Sequence, residues 1–306
     1  MTATLEIRNV TKRFGKVEAV REVSFALPEG ETIALIGHNG AGKTTLLKLM
    51  LGLIRPSSGS VTVLGDDPAA GQFAARRHLG YLPENVSFNS ALTGREVLAF
   101  YARLKRQGSS ALAPLLDRVG LSYAADRRVG TYSKGMRQRL GLAQALLGAP
   151  RILLLDEPTT GLDPALRQSF YEIIEELRGE GATVLLSSHA LTELEERAGR
   201  VVIMNRGHKV ADGSLDELRR IACLPTRVRL RVTASGMADA QNRLGPSAEW
   251  RRINGHLLEI DVAPDRKIEL LRRVTAEGTP VEDVEVTPPT LDELYAHFLL
   301  SQEAPR

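Results

Sequence analysis

The sequence has a single cysteine, Cys223, in 306 residues. That excludes an internal disulfide framework and a cysteine-rich metal site. It makes the cytosol the simplest home, since nothing uses an oxidising compartment. Aromatic residues are scarce, at 5%, so the core must be mainly aliphatic. Long apolar runs are missing as well. Stretches such as 152–155 fall far short of the roughly 20 residues a spanning helix needs. Met1 to Val10 mixes polar and apolar side chains without the apolar centre of a signal peptide. The expectation is that any membrane process served by this chain needs another chain to form the pore. Charge of one sign is also weak. A formal net charge of +3 is too small an excess to imply nucleic acid by itself, and is compatible with phosphate ligands or an anionic membrane surface.

What remains is globular in character. Hydrophobic residues at 43% and charged residues at 25% argue against disorder over most of the length. The length suits one large and one small domain. Residues 5–11 alternate, imperfectly, as an exposed-sheet strand, with Leu5, Ile7 and Asn9 against Glu6, Arg8 and Val10. Residues 25–27 lead to a turn at Pro28-Glu29-Gly30. A β-branched apolar run at 32–36 precedes a glycine-rich loop at 37–42, and 43–53 has helical composition. Short strands are expected at 61–64 and 79–82, and mostly helix from about Gly94 to Gly148, with turns near Gly108 and Gly120. Residues 152–155 and 183–187 read as buried strands, 164–178 as a helix, and 201–204 with 208–211 as a hairpin around Arg206-Gly207. Buried strands separated by helices indicate a mainly parallel sheet and an α/β fold.

The pattern changes after about Leu224-Pro225. Strand-like alternation occupies 227–232, 249–253 and 257–262, followed by a helix at 264–277 and a strand at 281–286. A closing helix at 290–300 carries Leu291, Leu294, Tyr295 and Phe298 on one face. The expected division is a first domain at 1–222 and a small α+β domain with an antiparallel sheet, for dimerisation or regulation, at 223–306. Arg227, Arg229 and Arg231 line one strand face. A nucleic-acid stripe and a solvated sheet face both fit that spacing, and the second is the more ordinary.

Two motifs carry chemistry. Gly37-His38-Asn39-Gly40-Ala41-Gly42-Lys43-Thr44, with Thr45 directly after, matches G-x-x-x-x-G-K-[ST] between a buried strand and a helix. Glycines let the backbone curl so that several N–H groups converge on one anion. The helix points its positive end at the same place. Lys43 adds a charge for the β- and γ-phosphates, and the Thr44 hydroxyl suits Mg²⁺. His38 reads as a loop residue offering its backbone. The second motif is Asp156-Glu157, two acids at the end of the strand 152–155, the edge where ligands sit in open α/β sheets. Asp156 is expected to hold Mg²⁺, directly or through water, and Glu157 to take a proton from an attacking water.

A third segment names a family. Tyr132-Ser133-Lys134-Gly135-Met136-Arg137-Gln138 resembles the signature motif of ABC ATPases, with Lys134 in place of the middle glycine and Met136 in place of glutamine. The resemblance implies a P-loop NTPase of ABC type, with a RecA-like core, an antiparallel β subdomain and a helical subdomain. It also implies that Ser133, Lys134, Gly135 and Met136 face ATP bound to a second copy, in a head-to-tail homodimer. Lys134 either adds attraction to that phosphate or simply faces solvent. Phe14 resembles the aromatic that stacks on adenine, although taken alone it reads as a core residue. Asp163, within Gly161-Leu162-Asp163-Pro164, resembles the loop joining the two sites of the dimer. His189 resembles the switch histidine that senses the γ-phosphate and orients Glu157. Glu84 stands where the family has a glutamine that touches Mg²⁺ and couples to the membrane subunit; a carboxylate there ligates the ion but repels a phosphate.

The resemblance covers residues 1 to about 222 and implies an ATPase that drives a separate polytopic permease from the inner face of the cell membrane. The 290–295 segment resembles the ends of ATPases with ABC-2-type partners. A narrower resemblance, carried by 80–88, 92–96, 125–128 and 131–136, is to the copper-processing ATPase of nitrous-oxide-reductase maturation, with a periplasmic accessory protein as a further partner. No His, Met and Cys cluster with ligand spacing accompanies it, so copper or sulfur cargo would be handled by partners. The competing class is a soluble ABC protein of DNA repair or translation. Repair members insert a long coiled coil before the signature and translation members carry two cassettes, and neither feature occurs here.

Overall fold

The computed structural model describes residues 3–70, 76–233, 250–276 and 278–303. They divide into two compact units, Met1–Gly213 and Ser214–Arg306. The first unit holds β1 (Ala3–Phe14), β2 (Val17–Pro28), β3 (Thr32–Ile36), β4 (Ser58–Val63), β5 (Leu79–Leu82), β6 (Ile152–Asp156), β7 (Thr183–Ser188), β8 (Arg200–Asn205) and β9 (His208–Gly213). Six of them form one sheet in the order β5-β6-β7-β3-β8-β9. Pairing is parallel except at the β8–β9 edge, the hairpin around Arg206-Gly207. Every residue of β3, β6 and β7 is buried. Strands covered on both faces are apolar through their middles, which is why these three read as continuous runs in the sequence, with polar residues only at their ends.

A smaller antiparallel sheet, β2-β1-β4, shares the core. Its first strand corrects one expectation. Leu5 and Ile7 are buried, but Asn9 is exposed and Val10 takes the buried position. The register slips between Ile7 and Val10, and Asn9 sits at φ 46°. A bulge of one residue reverses which side chains face inward, so the alternation looked imperfect. The long helical stretch resolves into α-helices at Gly94–Leu104, Leu112–Arg118 and Lys134–Leu146. The first begins with a capping box: Thr93 Oγ1 accepts from Glu96 N at 3.2 Å, and Glu96 Oε2 accepts from Thr93 N at 2.8 Å. Among the described residues no helix is long and apolar enough to cross a membrane.

The second unit contains β10 (Thr226–Val232), β11 (Arg251–Asn254), β12 (Leu257–Val262) and β13 (Val281–Thr287), an antiparallel sheet in the order β11-β12-β10-β13. One face packs Val228, Leu230, Leu258 and Ile260 with Leu270 and Val274 of helix Lys267–Val274. On the other face the β10 arginines meet acids of neighbouring strands. Arg229 lies 2.7 Å from Glu259, Arg227 3.6 Å from Asp261, and Arg231 3.8 Å from Asp283. The stripe is a lattice of ion pairs on a solvated sheet face. Glu249 and Glu277, included in the expected elements, lie outside the described residues. Helix Leu215–Ala222 lies in the second unit, which begins at Ser214 and not at the expected 223. Its Ser214–Glu217 capping box starts it, and Arg219 Nε donates to the Pro289 carbonyl at 3.0 Å.

The core of the first unit gives a direct check. Leu154 is fully buried in β6. Leu154→Ala should lower stability by about 2–5 kcal/mol, measured as a reduced urea midpoint with an unchanged slope. An unchanged midpoint would contradict the packing of β6.

Candidate functional site

The site starts at the C-terminal edge of β3. There the chain leaves the sheet, curls through 37–42 and enters helix Lys43–Met50. Gly42 sits at φ 107°, and a Cβ on it would lie 2.6 Å from the Ala19 carbonyl of β2. Gly37 is equally confined, 2.6 Å from the Met204 carbonyl by the same measure. Only glycine lets β2 and β8 press this closely on the loop. Gly207 N donates to the Ala41 carbonyl at 3.0 Å and fixes the loop from the β8–β9 turn. His38 does more than offer its backbone. Its Nδ1 contacts the Asn39 carbonyl at 2.7 Å and its Nε2 contacts Asn205 Oδ1 at 2.9 Å.

The loop faces a cavity of about 260 Å³ lined by 38–45, Ala19, Glu84, Asp156 and Glu157. The two acids reach it because β6 ends there, beside β7. Ser187 of β7 organises both. Its Oγ donates to Asp156 Oδ1 at 2.7 Å and accepts from Glu157 N at 3.0 Å. Glu157 N also donates to the Ser187 carbonyl at 3.1 Å. These bonds hold Glu157 at φ 48°, a left-handed conformation for a non-glycine residue that costs about 1–3 kcal/mol. The turn aims the Glu157 carboxylate at two cations or donors. Oε1 lies 3.7 Å from Lys43 Nζ, and Oε2 lies 2.7 Å from His189 Nδ1. Lys43 is 7% exposed and also donates to the Gly37 carbonyl at 2.5 Å.

The Thr44 hydroxyl donates to Asp156 Oδ2 at 3.0 Å, and Glu84 lines the same cavity. Burial pushes the Tyr81 hydroxyl up to about 12, with the charges of Asp156 and Glu84 adding to it. The three groups therefore share one neighbourhood. Their oxygens suit a hard cation such as Mg²⁺. Among the described residues no group of three or more His, Cys, Asp or Glu could hold a metal ion. An ion here would draw its remaining ligands from phosphates and water, as Mg²⁺ commonly does.

The other expected residues stand outside this cavity. Phe14 is 49% exposed, at the end of β1, with Lys12 Nζ 5.0 Å from its ring centroid. Ser133 caps helix Lys134–Leu146, its Oγ accepting from Met136 N at 3.2 Å. The Met136 side chain is buried, so the segment offers outward the Ser133 side chain and the exposed Lys134. Lys134 lies against Gly161, where an added Cβ would meet its Nζ at 2.6 Å. Asp163 caps helix Pro164–Gly179 by accepting from Leu166 N at 3.0 Å. Sequence reasoning missed Ser187, Asn205 and Gln138, whose Nε2 donates to the Pro158 carbonyl at 3.0 Å. For Ser187 the one available signal is a hydroxyl at the end of a buried strand next to the strand bearing the acids.

Comparison with known proteins agrees with this geometry. The family described as "ABC transporter" matches residues 20–160. The "Uncharacterized ABC transporter ATP-binding protein YxlF" of Bacillus subtilis (strain 168) is 43% identical, over 71% of this chain and 72% of that protein. The "Nod factor export ATP-binding protein I" of Burkholderia orbicola (strain AU 1054) is 39% identical, over 69% of this chain and 71% of that protein. A solved structure titled "Structure of ATP binding subunit of ABC transporter" superposes with a TM-score of 0.68 at 33% identity, covering 72% of this chain and 93% of the other.

Ser187→Ala removes the hydroxyl that serves both acids. It should shift the Mg²⁺ concentration needed for half-maximal nucleotide hydrolysis upward by about 10–100-fold, read from an Mg²⁺ titration. An unshifted titration would remove Ser187 from the site.

Proposed function

This chain belongs to the ABC transporter ATP-binding proteins and is an ATPase, and from that premise we propose that it works as a homodimer at the cytoplasmic face of a membrane, powering a separate polytopic permease. One observation carries the reading. Lys43, Thr44, Asp156 and Glu157 line a single cavity and His189 contacts Glu157, each within hydrogen-bond or ion-pair reach of another.

The chemistry follows from those contacts. Loop N–H groups and Lys43 hold the phosphates of ATP. Thr44 and Asp156, with Glu84 nearby, would hold Mg²⁺, which would supply neutralisation of phosphate charge. Glu157 takes the proton of the attacking water, a contribution of roughly 10²–10⁴-fold. His189 holds the Glu157 carboxylate in place. The exposed Phe14 suits stacking on the adenine base, an interaction of about 1–3 kcal/mol. Ser133 and Lys134 are exposed and line no part of their own chain's cavity, which supports completion of the site by a second copy, with Asp163 at the same contact. Met136 contributes through its backbone alone in this reading.

The permease would dock beside Glu84 and Val86. Phe100 and Leu104 are 48% and 65% exposed on helix Gly94–Leu104. Tyr101 meets both Phe100 and Phe88 edge to face. An exposed apolar group of this kind is what a partner helix covers. The cargo is a finer question. Processing of copper or sulfur for nitrous-oxide-reductase maturation, with a periplasmic accessory protein, rests on the pattern at 80–88, 92–96, 125–128 and 131–136 alone. Nod factor export is the role named for two Burkholderia relatives, and it is a property of those proteins.

Glu157→Gln tests the core of the reading. The variant should bind ATP, lose turnover and accumulate as a dimer, measured by nucleotide binding, phosphate release and light scattering. Turnover at the normal rate would end the assignment of Glu157 as base. Purification of the tagged chain from detergent-solubilised membranes should bring a polytopic permease; ribosomes or DNA ends in its place would favour the competing class.

A further inference from the structure

We infer that Glu193 and Arg167 form a latch that ties the His189 segment to the loop ending at Asp163, which makes both of them positioning residues for hydrolysis. The inference rests on the roles proposed above for Glu157 and His189.

Glu193 lies on the short helix Leu191–Glu195, one turn beyond His189. Its carboxylate gathers donors from two other places. Arg167 Nη1 donates to Oε1, and Oε2 accepts from Tyr171 OH at 3.3 Å and from Thr159 Oγ1 at 3.4 Å. Thr159 is buried two residues beyond Glu157. Arg167 and Tyr171 stand one turn apart on helix Pro164–Gly179, whose N-cap is Asp163. Arg167 also reaches back, its Nε donating to the Leu162 carbonyl at 3.1 Å. One carboxylate therefore joins three segments: the turn after Glu157, the segment after His189, and the loop Gly161–Asp163 through Arg167.

The contact extends along the same helix face. The Arg197 guanidinium lies 4.3 Å from the Tyr171 ring centroid, and its Nη2 donates to Gln168 Oε1 at 2.9 Å. Burial first, and then the charge of Glu193, push the Tyr171 hydroxyl up to about 12, so it stays protonated and remains a donor. The Glu193 side chain is 22% exposed and that of Arg167 38%. None of Glu193, Arg167, Thr159 and Tyr171 lines the phosphate cavity. Their effect on hydrolysis must therefore pass through His189, Glu157 and the 161–163 loop. A displacement of His189 is transmitted by a charged pair to the residue that caps the next helix, and a shift of that loop is transmitted back to His189.

A purely structural clamp would lower melting temperature and leave kinetics alone. A latch changes the rate of the chemical step. With the full chain, Glu193→Gln and Arg167→Lys should each lower kcat for ATP about tenfold, with KM for ATP within about twofold of the parent. The double variant should be no slower than either single one, because the two residues act through one contact. If a Glu193 variant fails to fold, Tyr171→Phe deletes one hydrogen bond to the carboxylate and should still slow kcat severalfold. Unchanged kcat with only a lower melting temperature, a raised KM at unchanged kcat, or slower turnover in the double variant than in both singles would overturn the latch. Glu157→Gln run alongside separates the two readings: abolished turnover there with normal Glu193→Gln sinks the latch alone, whereas retained turnover in Glu157→Gln sinks the base assignment beneath it.

Discussion

The Ser187 hydroxyl is the contact on which the site turns. It donates to Asp156 and accepts from the backbone of Glu157, two consecutive acids that would otherwise repel each other and relax apart. Because β6 and β7 run parallel in register, with Asp156 opposite Ser187, this contact is a property of the sheet and not of a loop. A positive φ at Glu157 then becomes sustainable. The carboxylate points across the cavity toward Lys43 and His189 as a result. Strain at one residue is balanced by a strand neighbour that costs nothing extra to position.

Much of this was readable in the sequence, for identifiable reasons. β3, β6 and β7 announce themselves because strands buried on both faces keep an unbroken apolar run, with polar residues only at their ends. The phosphate loop is readable because its main constraint is local: Gly40 and Gly42 both adopt a positive φ within one short turn. Asp156 and Glu157 are readable because they end an apolar run. Other features depend on contacts distant in sequence. Nothing near Ser187 announces that it serves residues some thirty positions earlier. Asn9 broke the alternation of β1 because a bulge is a relation between two strands. The start of the second unit is not legible because helix Leu215–Ala222 belongs with whatever it packs against, and its Ser214–Glu217 cap marks where it starts without saying to which side it belongs.

The residues read through family resemblance fall into two spatial groups. The phosphate loop, the acids, Glu84 and His189 surround one cavity or touch its wall. Phe14, Ser133, Lys134 and Asp163 point elsewhere. That separation has a physical logic. Ser133 and Asp163 both cap helices, so each is held rigidly by its own chain while presenting outward. Met136, buried, supplies the packing that anchors the start of its helix. A segment built this way is stiff before anything meets it, and a stiff contact loses less conformational entropy on association.

Lys43 already answers a carboxylate of its own chain, Glu157, at 3.7 Å. An incoming polyphosphate competes for that ammonium, so recognition is an exchange of partners and not a simple addition. A small monoanion gains little by the exchange, because it meets the lysine but few of the loop amides. A chain of phosphates engages the whole loop and can displace the internal carboxylate. On the role proposed for Glu157, the same displacement would leave its Oε1 to a water while Oε2 keeps His189. On that proposal, discrimination between anions and arming of the base are one event, wired through a single ammonium group.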